Sequence, residues 1–183
     1  MNDTTITAFD QLTSSDKEIQ TQAFFSIMAE TEQPVDWAYE VWDGLVADLH
    51  HKDNRRRAIA SQILCNLAKS DPENRMLSDF PALLHVTRDE RFVTARHCLQ
   101  GIWKVGVVDQ PQQQMVMNGL AGRYAECITE KNGTLIRYDI VDDLRKMYDV
   151  LEDETIKTLA LKLIETEDDL KYRKKYAGLW RGV

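Results

Sequence analysis

The stretch from Asp53 to Lys69, DNRRRAIASQILCNLAK, constrains the fold most, because the chain repeats its pattern. Ala60, Ile63, Leu64 and Leu67 stand at i, i+3, i+4 and i+7, the apolar stripe of a half-buried helix. Thirty-nine residues on, Arg57, Ala60, Ile63 and Leu64 become Arg96, Leu99, Ile102 and Trp103. After a further forty-one, Arg137, Ile140, Asp143 and Leu144 take those slots, while upstream Gln22, Phe25, Ser26 and Met28 align with Arg57, Ala60, Ser61 and Ile63. A unit of roughly forty residues therefore occurs four times, a period that implies stacked helix pairs.

The punctuation between the stripes sets the expected elements. Residues 1–13 are polar and Thr-rich and read as an N-terminal tail, with Phe9 and Leu12 pinned to the first unit; residues 14–183 form one domain. Ser15 and Glu18 make a capping box that opens a helix over 16–30. Beyond Pro34, the stripe Ala38, Val41, Trp42, Leu45, Val46 and Leu49 predicts a helix over 36–50. Asp53 caps the next, to about 70, and Asp71-Pro72 starts another, which Pro81 should break near Asp79 or Phe80. Helices are further expected from 89 or 90 to 105, with Gly106 as the stop, and from the Asp109/Gln112 cap to 130. After an Asn132-Gly133 turn come helices at 135–150 and around Ile156 to Leu163, and a last one over 167–179, acidic at its start and basic at its end. No stretch alternates with period two, so almost no strand is predicted.

Composition narrows the function classes. The formal net charge of -7 weighs against nonspecific attraction to nucleic acid phosphates. No apolar run approaches the ~20 residues that cross a bilayer, and the start MNDTTITAFDQLTSSDKE lacks the basic and apolar parts of a signal peptide, so a cytoplasmic location without membrane contact is expected. Cys65, Cys98 and Cys127 are widely spaced, with no C-x-x-C pair and no histidine at a recurring ligand offset; they read as reduced packing residues, with no metal or cofactor implied.

Arg57, Arg96 and Arg137, each followed three residues later by an apolar residue (Ala60, Leu99, Ile140), give the chain its family likeness, together with acids six residues earlier at Asp16, ahead of Gln22, and Glu90, ahead of Arg96. In these features it resembles the HEAT and armadillo-like helical repeats. The likeness covers about 15–165 and departs from the pattern where Gln22 replaces the arginine and where His51 and Lys131 replace acids. It implies an all-α fold, a right-handed α-α superhelix of about four helix pairs plus a C-terminal capping helix. It also implies an acid and arginine ladder between units, and a scaffold that binds a protein partner along a concave surface lined by the second helices. A minority of such proteins are enzymes, DNA glycosylases among them; that is the alternative reading, and it needs a basic concave face with an acid among aromatics.

No catalytic residue emerges. The chain lacks G-x-S-x-G, H-E-x-x-H and a phosphate-cradling glycine loop, and His97 and Cys98, adjacent on a helix, point about 100° apart. Trp42 and Trp103 fall in inward stripes; Trp37 and Trp180 lie at element ends. The run His50, His51, Lys52, Arg55, Arg56 and Arg57 is the densest positive stretch and reads as a solvated turn. Opposite the apolar stripes of the second helices lie Asp36, Glu40 and Asp43, then Ser78 and His85, Asn118 and Glu126, and Glu154, Thr158 and Glu165. This acidic ridge is the candidate binding face, suited to a basic protein partner. A second copy of the chain is a further partner class, because the ends of a helical stack leave apolar surface unfilled.

Overall fold

Aspartate starts half of the helices. In the computed structural model, which describes residues 1–182, the carboxylates of Asp16, Asp53, Asp109, Asp153 and Asp169 each accept a backbone N–H of the following first turn at 2.8 Å. Such a cap satisfies a donor that the helix itself cannot, and contributes about 1 kcal/mol. The chain forms α1 (Asp3–Gln11), α2 (Lys17–Glu30), α3 (Ala38–Asp48), α4 (Asn54–Leu67), α5 (Met76–Val86), α6 (Phe92–Ile102), α7 (Gln110–Glu126), α8 (Gly133–Leu151), α9 (Glu154–Glu165) and α10 (Leu170–Gly178). Single 3-10 turns extend α4, α6 and α7 at Ala68–Ser70, Val105–Val107 and Cys127–Thr129. No strand occurs among the described residues.

The helices pack in two rows. One runs α2, α4, α6, α8, α10 and the other α3, α5, α7, α9, each helix touching the next in its row. The rows differ in burial: α8 exposes nothing between Gly133 and Tyr148, whereas α3, α5, α7 and α9 each keep an exposed stripe. The even-numbered row, which holds the enclosed α8, is termed the inner row and the odd-numbered row the outer, although α2, α6 and α10 also keep exposed faces. A continuous core between the rows runs from Ile27 and Trp42 through Leu64, Leu83 and Leu99 to Leu144 and Ile164.

Residues 3–11 depart from the expected tail. They form α1, which packs on α2 and also lies against α3, with Phe9 edge-on to Trp37 at 5.8 Å and the Met1 ammonium 2.7 Å from Glu40. Its buried members are Thr5 and Ala8, too weakly apolar to register as a stripe; the Thr5 hydroxyl is buried because Glu30 receives it at 2.8 Å. With α1 heading the outer row, the described residues hold five helices in each row, and α10 ends the inner row.

Local signals also resolve differently. Asp16, rather than Ser15, caps α2. Asp71 does not start a helix at Pro72; its carboxylate reaches forward to the N–H groups of Arg75 and Met76, where α5 begins. Pro81 leaves α5 unbroken. It and Leu77 are both exposed, so the Leu77 carbonyl that loses its donor is open to water. Gly133 is the first residue of α8 instead of a turn residue, and what demands glycine there is close approach: a Cβ would collide with the Cys127 carbonyl oxygen. Trp103, expected inside, is half-buried.

Candidate functional site

The repeating arginines are structural. Arg57 donates to Asp89 at 2.5 and 3.0 Å, Arg96 to Asp139 at 2.6 and 2.8 Å, and Arg137 to Glu167 at 2.9 Å, so each arginine of the inner row reaches the next unit. The acids differ from the expected ones. Glu90 is exposed; its neighbour Asp89 takes Arg57 and also accepts the Arg91 N–H at 2.8 Å. Burial alone would raise Asp89, but these hydrogen bonds outweigh it and hold the carboxyl below its usual range. At the corresponding place ahead of α8, Glu130 is occupied by Arg123, and Arg96 turns to Asp139 within α8.

Asp143 breaks the pattern. It occupies the slot that Ile63 and Ile102 fill in their units, is wholly buried, and neither carboxylate oxygen has a hydrogen-bond partner among the described residues. Burial drives its pKa well above the ordinary value, partly offset by Lys146, whose ammonium lies 3.9 Å away. Because the folded-state pKa is raised, the folded chain holds this proton after the unfolded chain has released it; the resulting cost is absent below about pH 4 and grows as pH rises toward the folded value. Leucine branches at Cγ as aspartate does and replaces both unpartnered oxygens with methyl groups, so Asp143→Leu is expected to raise the melting temperature, by more at pH 8 than at pH 5. Thermal unfolding of both proteins at the two pH values checks this, and an equal shift at both would remove the protonation argument.

The cysteines are inert. All three are free and buried, burial pushes the Cys65 thiol up to about 12 and the Cys98 thiol well above its normal value, and Cys98 donates to the Leu83 carbonyl at 3.3 Å rather than engaging His97.

The sequence-derived ridge is real as a surface but lies on the outer row. Asp36, Glu40, Asp43, Ser78, His85, Asn118, Glu126, Glu154, Thr158 and Glu165 are all exposed there. Four of its acids are already matched within the chain: Glu40 by the Met1 ammonium, Asp43 by Arg75, Glu126 by Arg88 at 2.6 Å, and Glu154 by Lys157 at 3.6 Å. Asn118 accepts from Gln114 at 3.0 Å.

The inner row carries a different feature. Above α4 the walls of α2 and α6 enclose a groove of about 380 Å³. Ala58, Ile59 and Gln62 form its floor, Phe24 and Phe25 one wall, and Val93 and His97 the other. Phe25 is 64% exposed and Val93 65%, facing each other over α4. The far ends of the three helices are tied by one buried side chain: Asn66 donates to the Met28 carbonyl at 3.2 Å and the Thr31 hydroxyl at 3.0 Å, and accepts from Lys104 at 2.6 Å. A buried amide whose oxygen and nitrogen are both engaged in this way holds the helices in one arrangement.

Charge in the groove comes from Arg55. Of the three consecutive arginines, Arg56 pairs with Asp48 at 2.7 Å and Arg57 with Asp89, but among the described residues the Arg55 guanidinium meets only the Thr21 hydroxyl, at 2.8 Å. Helical neighbours point about 100° apart, which sends each of the three toward a different surface. His97 on the opposite wall has its pKa lowered by burial and by Arg96, so it is uncharged at neutral pH. The repeat alignment sets Phe25 against the inward-facing Ala60 and gives no sign of this groove. The available signal was the Phe24-Phe25 pair, since adjacent helical residues cannot both point into one core.

No family model and no curated protein matches the chain. Among solved structures it is similar to one described as an engineered protein, with a TM-score of 0.51 and 13% identity over 98% of this chain and 97% of that one. At that identity the likeness concerns the fold alone. No helix among the described residues is long and apolar enough to cross a membrane.

Proposed function

We propose that this chain is a HEAT- or armadillo-like stack of helix pairs acting as a non-enzymatic protein interaction module, and that it receives a segment of its partner in the groove over α4. The observation that carries the reading is the pair Phe25 and Val93, two strongly exposed apolar side chains on opposite walls of one preformed groove. Exposed apolar residues scattered singly are ordinary; a pair on opposite walls above the uncharged floor of Ala58, Ile59 and Gln62 gives a partner side chain a site that excludes water from three sides. The groove is favoured over the acidic ridge because Glu40, Asp43 and Glu126 are compensated within the chain, which weakens the field available to a basic partner.

Affinity capture followed by reconstitution from purified components tests the proposal. Phe25→Glu with Val93→Glu is expected to weaken a one-to-one complex about thirtyfold or more, the scale of losing an anchor residue. Charge reversal at Glu40 and Asp43 is expected to leave it nearly unchanged. The opposite result would assign binding to the ridge, and insensitivity to both would exclude both faces.

A further inference from the structure

The groove is apolar on its walls and cationic at one point, and that combination specifies a ligand chemistry. None of its lining residues is acidic, in a chain with 30 aspartates and glutamates. Arg55 has no carboxylate within ion-pair distance among the described residues, whereas its two neighbours each have one. Its guanidinium is nevertheless oriented. The Thr21 hydroxyl gives its own proton to the Lys17 carbonyl at 2.7 Å, so toward Arg55 it acts as an acceptor and holds one N–H, leaving further donors of the planar fork uncommitted. An arginine positioned by a single neutral acceptor beside an apolar trough is suited to a charge-assisted pair with an incoming carboxylate. One cation with one uncharged histidine is far too little positive charge for a nucleic acid backbone, whose binding depends on several phosphate contacts.

Resting on the docking reading above, we propose that the groove takes a peptide segment of a partner protein that carries an aromatic or aliphatic side chain beside an aspartate or glutamate. The apolar side chain seats between Phe25 and Val93 over Ala58, and the acid pairs with Arg55. The backbone need not be regular, because the recognition unit spans two adjacent side chains.

Panning the full chain against a displayed library of random dodecapeptides tests this, with Phe25→Glu as the counter-selection. Peptides that bind wild type but not the Phe25 variant are expected to be enriched in an acid next to an apolar residue. For such a peptide, Arg55→Gln and the peptide's own acid-to-amide change should each weaken binding about tenfold, and together should weaken it little more than either alone, the mark of one shared pair. Arg55→Lys should retain most of the affinity. Groove-dependent peptides without an acid, or insensitive to Arg55→Gln, would overturn the partner chemistry while leaving the docking reading in place. Failure to obtain any Phe25-dependent peptide would overturn the docking reading itself. Light scattering on the free chain and titration with a duplex DNA complete the test: a Phe25-dependent dimer, or Arg55-dependent DNA binding, would give the groove to a different occupant and refute the proposal.

Discussion

Replacing Arg137 with alanine is expected to destabilise the chain by about 3–5 kcal/mol, the cost of leaving a buried partner charge unpaired. Arg137 and Glu167 are both almost fully buried. Besides the 2.9 Å ion pair, the guanidinium donates to the Tyr124 carbonyl at 3.1 Å and lies 4.6 Å from the Tyr124 ring centroid. Alanine removes all three and strands the Glu167 carboxylate between α8 and α10. The cause can be separated from lost packing, because Arg137→Met keeps much of the volume and Glu167→Gln removes the orphaned charge while it can still accept the Asp169 N–H that Glu167 Oε1 now receives at 3.1 Å. The double variant Arg137→Met/Glu167→Gln should therefore be more stable than Arg137→Ala alone, as read from urea unfolding midpoints. By contrast Arg88→Ala, which breaks the solvent-exposed pair with Glu126, should cost less than about 1 kcal/mol.

Trp42→Ala is expected to cost about 3–5 kcal/mol as well, through a cavity. Trp42 has no exposed surface, packs edge-on against Tyr39 at 5.9 Å, and joins α3 to α5 by donating from Nε1 to Asp79 at 2.8 Å. For a chain of this size that loss lowers the melting temperature by roughly 10 °C. Trp42→Phe keeps most of the filling but forfeits the hydrogen bond to the carboxylate, a loss of about 1.5–3 kcal/mol. An alanine variant that melts with wild type would mean that the two outer-row helices do not depend on this contact.

Where the sequence was legible, the signal was periodic and strongly apolar or charged. The stripes of α3, α4 and α8 are plain in Trp42, Ile63 and Ile140, and the common phase of Arg57, Arg96 and Arg137 gave the inter-unit ion pairs before any geometry was known. Which acids complete those pairs was not legible, because a side chain seven Å long chooses among neighbouring carboxylates by local turn geometry: Asp89 is preferred to Glu90 once it also caps Arg91. The first helix was hidden for another reason. Thr5 can be buried only because Glu30, twenty-five residues away, receives its hydroxyl, and no local pattern carries that fact. The additional helix packs on α2, and the second helices of the sequence reading, α3, α5, α7 and α9, form the odd-numbered row. The groove was invisible because its floor, with Ala58 and Gln62, is neither apolar enough nor charged enough to stand out, and its floor and walls come from three separate units.

Site-specific photo-crosslinking in the source cells tests the central claim most directly. A benzophenone amino acid placed at Phe25 or Val93 reports contacts within the groove, and the same probe at Asp36, His85, Asn118 or Glu165 reports contacts on the outer row. The account predicts that one protein partner is captured from positions 25 and 93, and that prior substitution of Arg55 by glutamate abolishes the adduct. Capture of a partner from the outer-row positions alone, with the groove positions silent, would contradict it.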